Sequence, residues 1–253
     1  ALIGKSFSSL FEQASKVETA LAAEDFWAVS PVVVKSKGGA VNIVLQRGPN
    51  GIMVDVEPVG DEADIESKIA AVKAAVGKFD ACNTEQELCD QIVSLMNEMW
   101  GWDRSFVWKF NEDDTSYVPA EICSANVKNP VKGMSLYEHD LPPNAKHNYL
   151  HRTYARVLVD VADEGVELVV DAARGLEPEE ISLMKSNLRR LHQCAVDQLG
   201  AWTIRANAMF PVVVQRRLYG LITFAHNSAL PMPPFQTRLA MEWLTQAFAL
   251  KSS

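Results

Sequence analysis

Three short segments near the start of the chain carry the apolar and β-branched residues typical of strands. They span residues 30–35, 40–46 and 52–58, and the last of them alternates apolar and polar positions. Glycine-containing turns separate them, and a helix is predicted ahead of them over residues 7–21. The pattern predicts a three-stranded meander that ends at an acidic break, residues 60–64.

The next two segments repeat apolar residues at the three- and four-residue spacing of amphipathic helices. In the first helix the apolar positions are Ile65, Ile69, Val72, Val76 and Phe79. The second opens at residues 84–87, Thr-Glu-Gln-Glu, which is a capping box. The pattern favours a core position for the second helix and leaves open whether the first packs on the core or on another chain.

The remaining apolar runs predict two hairpins and a closing helix. Residues 105–110 precede a polar turn and the strand 117–123, and residues 206–214 form a second hairpin with 218–225. Pro233-Pro234 then starts a terminal helix. This order of elements predicts an α+β fold, with a central antiparallel sheet and flanking helices.

Composition narrows the classes of function. The 253-residue chain is 48% hydrophobic, and its net charge of -8 argues against nucleic acid or an anionic membrane as the main partner. No apolar run approaches the roughly 18 residues of a membrane span, so we expect a cytoplasmic protein with four reduced cysteines. A phosphate-binding glycine loop, a nucleophile motif and metal-site spacing are missing, so no enzymatic activity is expected.

The motif with most bearing on function is His139-Asp140-Leu141-Pro142. On its residues alone, Asp140 suits a helix N-cap, and it could equally direct its carbonyl into a ligand pocket. Together with residues 101–110, 185–192 and 217–222, the motif resembles the photosensory core of the phytochromes. The resemblance follows the same order and covers nearly the whole chain.

The resemblance implies a partial PAS-like domain over residues 1–60 and a GAF domain over residues 61–253, which begins with a linker helix. It also implies that the GAF domain holds a linear tetrapyrrole, a bilin of the biliverdin or phycocyanobilin type. Such a ligand offers pyrrole N–H donors, two propionate anions and an apolar conjugated body. Its pocket therefore needs an acceptor, cations and aromatic walls.

The resemblance assigns candidate bilin contacts residue by residue. The main-chain carbonyl of Asp140 and the side chain of His192 are expected at the pyrrole nitrogens, and Arg156 and Arg189 at the propionates, with Arg190 as the alternative to Arg189. The other candidates are a propionate-contacting Asn207, the aromatic Trp108, the thiol of Cys194 as an anchor, and His226.

Without the resemblance, these residues have simpler interpretations. His192 would be a half-buried histidine, Cys194 a small buried hydrophobe and each arginine a solvated surface charge. The family's strand histidine corresponds to Ala225, so alternation along the strand would turn the side chain of His226 to the other face.

We therefore predict a red/far-red photoreceptor fragment, in which light isomerises the bilin and the signal passes to a C-terminal output domain outside this chain. Several pocket positions differ from the family, so a chromophore-less regulatory or dimerisation module stays open as the alternative. A GAF sensor for another small anionic ligand is the third possibility. A homodimer through helices 65–79 and 235–250 is expected, because their apolar faces look wider than one core needs.

Overall fold

The computed structural model describes residues 5–48, 51–59, 65–113, 115–136, 143–150, 156–162, 186 and 193–252. The chain folds into two compact units, residues 1–61 with 164–189 and residues 62–163 with 190–253. The segment 164–189 was predicted with the second domain, whereas it groups with the first unit. Within that unit the buried Ser186 hydroxyl donates a hydrogen bond to Asp55 Oδ1 at 2.6 Å.

The first unit is a three-stranded antiparallel sheet with short helices on one face. A 3-10 helix, Phe7–Leu10, is followed by α1 (Ala14–Leu21), α2 (Phe26–Val29), β1 (Val32–Ser36), β2 (Gly39–Gly48) and β3 (Gly51–Pro58). The strands pair in the order β1-β2-β3, which confirms the predicted meander. The predicted helix over residues 7–21 is instead split into two. Apolar side chains of β1 and β2 pack on those of the helices.

The second unit is a six-stranded antiparallel sheet with helices against both faces. Its elements are α3 (Ile65–Asp80), α4 (Glu85–Trp100), β4 (Arg104–Phe110), β5 (Ser116–Cys123), β6 (Ser135–Leu136), α5 (Pro143–Leu150), β7 (Arg156–Leu158), α6 (Gln193–Ala201), β8 (Ala206–Val214), β9 (Arg217–His226) and α7 (Phe235–Lys251). The strand order is β6-β5-β4-β9-β8-β7. The predicted hairpins, the central antiparallel sheet and the flanking helices are confirmed.

Helices α4 and α7 cover one face of this sheet, which we call the helix face, and α3 packs on these two helices. The predicted capping box opens α4, since Thr84 Oγ1 accepts from the backbone N–H of Glu87 and the Glu87 carboxylate accepts from that of Thr84. Gly101 closes the helix in a left-handed conformation, with φ 63°, which glycine adopts without strain. Side chains of these helices and of β4, β8 and β9 form the largest apolar core.

In the described ranges, no helix is both long enough and apolar enough to cross a membrane.

Candidate functional site

The other face of the six-stranded sheet carries the candidate site. Paired residues in neighbouring strands point the same way and successive residues alternate, so the register places side chains in rows. The middle row contains Arg156, Met209, Thr223, Phe106 and Glu121. On one side of it lie Leu158, Asn207, Ala225, Arg104 and Cys123, and on the other Pro211, Leu221 and Trp108. We call these three rows the site face.

Two helices lie against the site face. Tyr149 of α5 is buried and packs with Phe106, Trp108 and Leu221. Leu199 of α6 packs with Ala225 in a separate apolar cluster. The site face is therefore a covered surface, and its walls near Trp108 are aromatic and aliphatic.

Two neutral polar atoms of the site face, together with one carboxylate oxygen of Glu121, are buried without a hydrogen-bond partner among the described residues. Trp108 is 3% exposed and Thr223 is 2% exposed. Among the described residues, neither Trp108 Nε1 nor Thr223 Oγ1 has a hydrogen-bond partner. Buried polar atoms in folded proteins are nearly always paired, so each such atom calls for an explanation, of which a bound water or ligand is one.

Arg156 places a cation at the β7 edge of the middle row. The residue is half-buried, and its Nη1 lies 3.5 Å from the hydroxyl oxygen of Tyr149. That hydroxyl donates to Met209 Sδ at 2.8 Å. In the adjacent row, the buried Asn207 uses one N–H of its amide to donate to the carbonyl of Phe224 at 2.9 Å. Arg156 thus supplies a positive charge to a largely apolar surface.

A buried ion pair closes the opposite end of the site face. Arg104 Nε lies 3.3 Å from Glu121 Oε1, and these side chains are only 7% and 2% exposed. The second oxygen of Glu121 accepts from the backbone N–H groups of Val131 and Lys132 at 2.6 and 2.7 Å. Arg104 also donates to the carbonyl of Asn129. The pair therefore fastens the loop after β5 to the sheet.

The structure brings three predicted residues together, since Trp108, Arg156 and Asn207 all lie on the site face. His226 lies on the helix face, as alternation along β9 predicted. Its Nδ1 is 3.3 Å from Asp103 Oδ2, and its ring meets that of Trp102 edge-on. The predicted contact of His226 with the ligand is therefore wrong for a ligand that lies on the site face.

The other predicted contacts lie outside the described residues: Asp140, Arg189 with its alternative Arg190, and His192. Cys194 belongs to the first turn of α6, but its side chain is likewise outside the described set.

The described cysteines have weakly acidic thiols. Burial is the main cause, and it raises the pKa of both Cys89 and Cys123 to about 11 and also raises that of Cys82. A thiol of raised pKa is mostly protonated near neutral pH and is a poor nucleophile. None of these three thiols is suited to spontaneous covalent attachment.

The sequence reasoning missed several residues of the site, among them Thr223 of the site face and Tyr149 of α5. Thr223 is the single polar residue in the buried run 220–225, and that position was a usable signal. Tyr149 carried no such signal, because an aromatic residue in a short helix is ordinary core material.

Comparisons with known proteins agree with this architecture. The model of the GAF domain family matches residues 84–251. The phytochrome of Mougeotia scalaris is 27% identical over 279 residues, and phytochrome B of Nicotiana tabacum is 29% identical over 273. Each alignment covers 98% of this chain and 24% of the relative, so the chain spans about a quarter of the length of these relatives.

Solved structures show the same fold. The wild-type chromophore-binding domain of a Stigmatella aurantiaca phytochrome superposes with a TM-score of 0.91 at 20% identity, covering 98% of this chain and 83% of that one. The chromophore-binding domain of a bacteriophytochrome from R. palustris gives a TM-score of 0.80 at 20% identity, covering 94% and 77%. Because the family match extends over more than half of its residues, the chain belongs to the GAF domain family, with the phytochromes as its relatives.

Proposed function

We propose that this chain binds a linear tetrapyrrole on the site face and acts as the light-sensing part of a phytochrome-like photoreceptor. The observation that carries the proposal is the half-buried Arg156 on an otherwise largely apolar, aromatic-walled sheet face. The similar solved structures, which are chromophore-binding domains, support the choice of ligand.

The described residues fit the chemistry of a bilin. Arg156 would bind a propionate by charge-assisted hydrogen bonds, and the Tyr149 hydroxyl beside it would orient the guanidinium. Phe106 and Leu221 would pack on the conjugated body and exclude water from it. The second amide N–H of Asn207 is available as a further donor to a carboxylate. When bound, the bilin supplies the absorption of red light and a double bond that isomerises.

The proposal includes three residues on the family resemblance alone. Asp140 and His192 are proposed at the pyrrole nitrogens and Arg189 at the second propionate. In sequence, His192 immediately precedes α6, and Asp140 lies three residues before the start of α5.

Absorption spectroscopy tests the binding. Purified protein mixed with biliverdin or phycocyanobilin is expected to give a red-shifted band that changes reversibly under alternating red and far-red light. Arg156→Gln should weaken binding roughly tenfold or more, as for loss of a charged hydrogen bond. Arg217→Gln is the matched control, since Arg217 pairs with Glu112 on the surface at 67% and 87% side-chain exposure.

Failure of the unmodified protein to shift the absorption of either bilin would contradict the proposal. That result would favour the chromophore-less module, in which Ala225 takes the place of the family's histidine.

A denaturing gel tests covalent attachment. We propose Cys194 as the anchor, because the thiols of Cys82, Cys89 and Cys123 have raised pKa values. Zinc-dependent fluorescence of a bilin-loaded band should disappear in Cys194→Ser and persist in Cys123→Ser. Fluorescence that survives Cys194→Ser would refute this anchor.

A second copy of the chain is the proposed partner of α3 and α7. The two helices pack on each other, yet they expose large apolar side chains: Val76 is 39% exposed, Trp243 37% and Leu250 78%. Light scattering should give the mass of a dimer, and Trp243→Glu with Leu250→Glu should give that of a monomer. An unmodified protein that stays monomeric at high concentration would contradict the dimer.

The output of the receptor is proposed to lie beyond this chain, as the much greater length of the relatives suggests. We also propose a cytoplasmic location, which the three unpaired cysteines of the described residues support. Fractionation of cells that express the whole protein would test the location.

A further inference from the structure

We propose that Trp108 and Thr223 together bind one neutral polar edge of the bilin, the carbonyl of a terminal lactam ring. This inference rests on the proposed function, because it assigns two contacts within the same site.

Trp108 Nε1 and Thr223 Oγ1 are enclosed by protein, and no hydrogen bond to either is found among the described residues. Folding has removed both from water without giving them a new partner, which costs stability. A ligand that hydrogen-bonds to them recovers this cost on binding.

Their neighbours cannot satisfy them. Thr223 stands between Met209 and Phe106 in the middle row, and Trp108 stands beside Leu221 with its ring 5.4 Å from that of Phe110. All of these side chains lack a strong acceptor. Tyr149, the one member of the same described cluster with a side-chain oxygen, already directs its hydroxyl to Met209 Sδ.

The chemistry of the atoms then selects the ligand group. An indole N–H only donates, so the ligand must offer an acceptor to Trp108. A threonine hydroxyl donates or accepts, so it can share that acceptor or receive the adjacent lactam N–H. A lactam edge presents both groups side by side and carries no charge, which suits a buried place without a counterion.

The strand register separates the neutral polar atoms of Trp108 and Thr223 from the charged group of Arg156. Thr223 lies two residues from the partner of Trp108, about 7 Å along β9, which an indole ring can bridge. Arg156 lies two strands away from Thr223, a separation of about 9.5 Å between backbones. The site face therefore offers a cation for a carboxylate and, separately, neutral polar atoms for a carbonyl.

Titration with biliverdin tests the assignment. Trp108→Phe and Thr223→Val should each weaken binding about three- to tenfold, the size of one neutral hydrogen bond, and raise the frequency of a lactam C=O stretch in the infrared spectrum. Trp100→Phe is the matched control: its Nε1 is equally without a described partner, but its ring packs on Phe210 and Phe224 of the helix face. It should bind biliverdin as the unmodified protein does.

Thermal unfolding without bilin supplies a second readout. Thr223→Val should not lower the melting temperature, because the hydroxyl it removes has no partner. Thr245→Val should lower it, since that buried hydroxyl donates to the carbonyl of Met241 at 2.8 Å.

The outcomes separate the two proposals. Unchanged affinity and C=O frequency in Trp108→Phe and Thr223→Val would overturn the inference alone. So would a ligand-free Thr223→Val that melts as early as Thr245→Val, because the hydroxyl would then have a protein or water partner. Biliverdin that fails to bind the unmodified protein would overturn the proposed function and the inference with it.

Discussion

Replacing Glu121 by glutamine removes the negative charge that faces Arg104 on the site face, while it keeps the shape of the side chain. Both partners are almost fully buried, at 7% and 2% side-chain exposure. A glutamine has one acceptor oxygen. It can therefore either accept from the loop N–H groups of Val131 and Lys132 or face Arg104, but it cannot do both.

The geometry sets the size of the effect. Breaking a buried ion pair by removing one partner typically costs about 3–5 kcal/mol, because the other charge is left buried and unpaired. The 3.3 Å separation from Arg104 Nε is not accompanied by a well-aligned hydrogen bond to Glu121 Oε1. We therefore expect the lower end, about 3 kcal/mol, which is a large share of the ~5–15 kcal/mol by which most domains are stable.

Urea unfolding followed by tryptophan fluorescence measures this change. Five of the six tryptophans belong to the second unit, so the signal reports mainly on the sheet that holds the pair. With a urea dependence of about 2 kcal/mol per molar, a loss of about 3 kcal/mol lowers the midpoint by roughly 1.5 M. Glu112→Gln is the matched control: it breaks a glutamate–arginine pair that is exposed, and it should cost less than about 1 kcal/mol.

A double variant separates the two parts of the cost. Arg104→Met combined with Glu121→Gln removes the unpaired cation, so it should be less destabilised than Glu121→Gln alone. If Glu121→Gln costs no more than Glu112→Gln, burial does not govern the strength of this pair and the reasoning is wrong.

Three further predictions concern other parts of the second unit. Gly220→Ala should cost about 3 kcal/mol by thermal unfolding, because its Cβ would overlap the carbonyl oxygen of Trp108 in the adjacent strand. A loss below about 1 kcal/mol would contradict this. Desolvation alone would raise the pKa of Glu85, but hydrogen bonds from Lys109 and Tyr219 and the charge of Lys109 outweigh it and lower that pKa. The stability that Glu85 contributes is therefore present above the ordinary carboxyl pKa of about 4.3 and is lost as the pH falls below it. Glu85→Gln should make the free energy of unfolding less dependent on pH on the acid side. An unchanged pH dependence would refute the link between the Glu85 pKa and stability. Burial raises the pKa of Cys123 to about 11, so its alkylation by iodoacetamide should be slow at pH 7.5 and much faster toward pH 10; equal rates would contradict it.

Much of the fold follows from local patterns in the sequence. The capping box at Thr84 fixed the start of α4, and the apolar runs of β8 and β9 predicted their hairpin. Alternation along β9 predicted that His226 turns away from the face that carries Ala225, and this is confirmed. Each of these inferences depends only on residues that are close together in the chain.

The site face could not be derived in the same way, because its rows come from strands that are distant in the sequence. Phe106 meets Thr223 through the pairing of β4 with β9, and neither segment specifies that register by itself. The resemblance to phytochromes named Trp108, but only the register brings it near Thr223. The ion pair of Arg104 and Glu121 likewise joins two strands through a register that no local motif encodes.

Glu121 and Thr223 lie in the same row of the site face, yet their substitutions are expected to have different thermodynamic signatures. Bilin that binds only the folded protein raises its stability by RT ln(1 + [L]/Kd), so a variant can act on the ligand-free protein, on Kd, or on both. Glu121→Gln should lower the stability of the free and the bilin-bound protein by similar amounts, because the charge it removes already has its partner in the protein. Thr223→Val should leave the free protein as stable or more stable and reduce only the gain on binding. A chromophore-less module would show no such gain to reduce, so the difference between free and bound stability in Thr223→Val distinguishes a polar atom kept for a ligand from one that is a defect of packing.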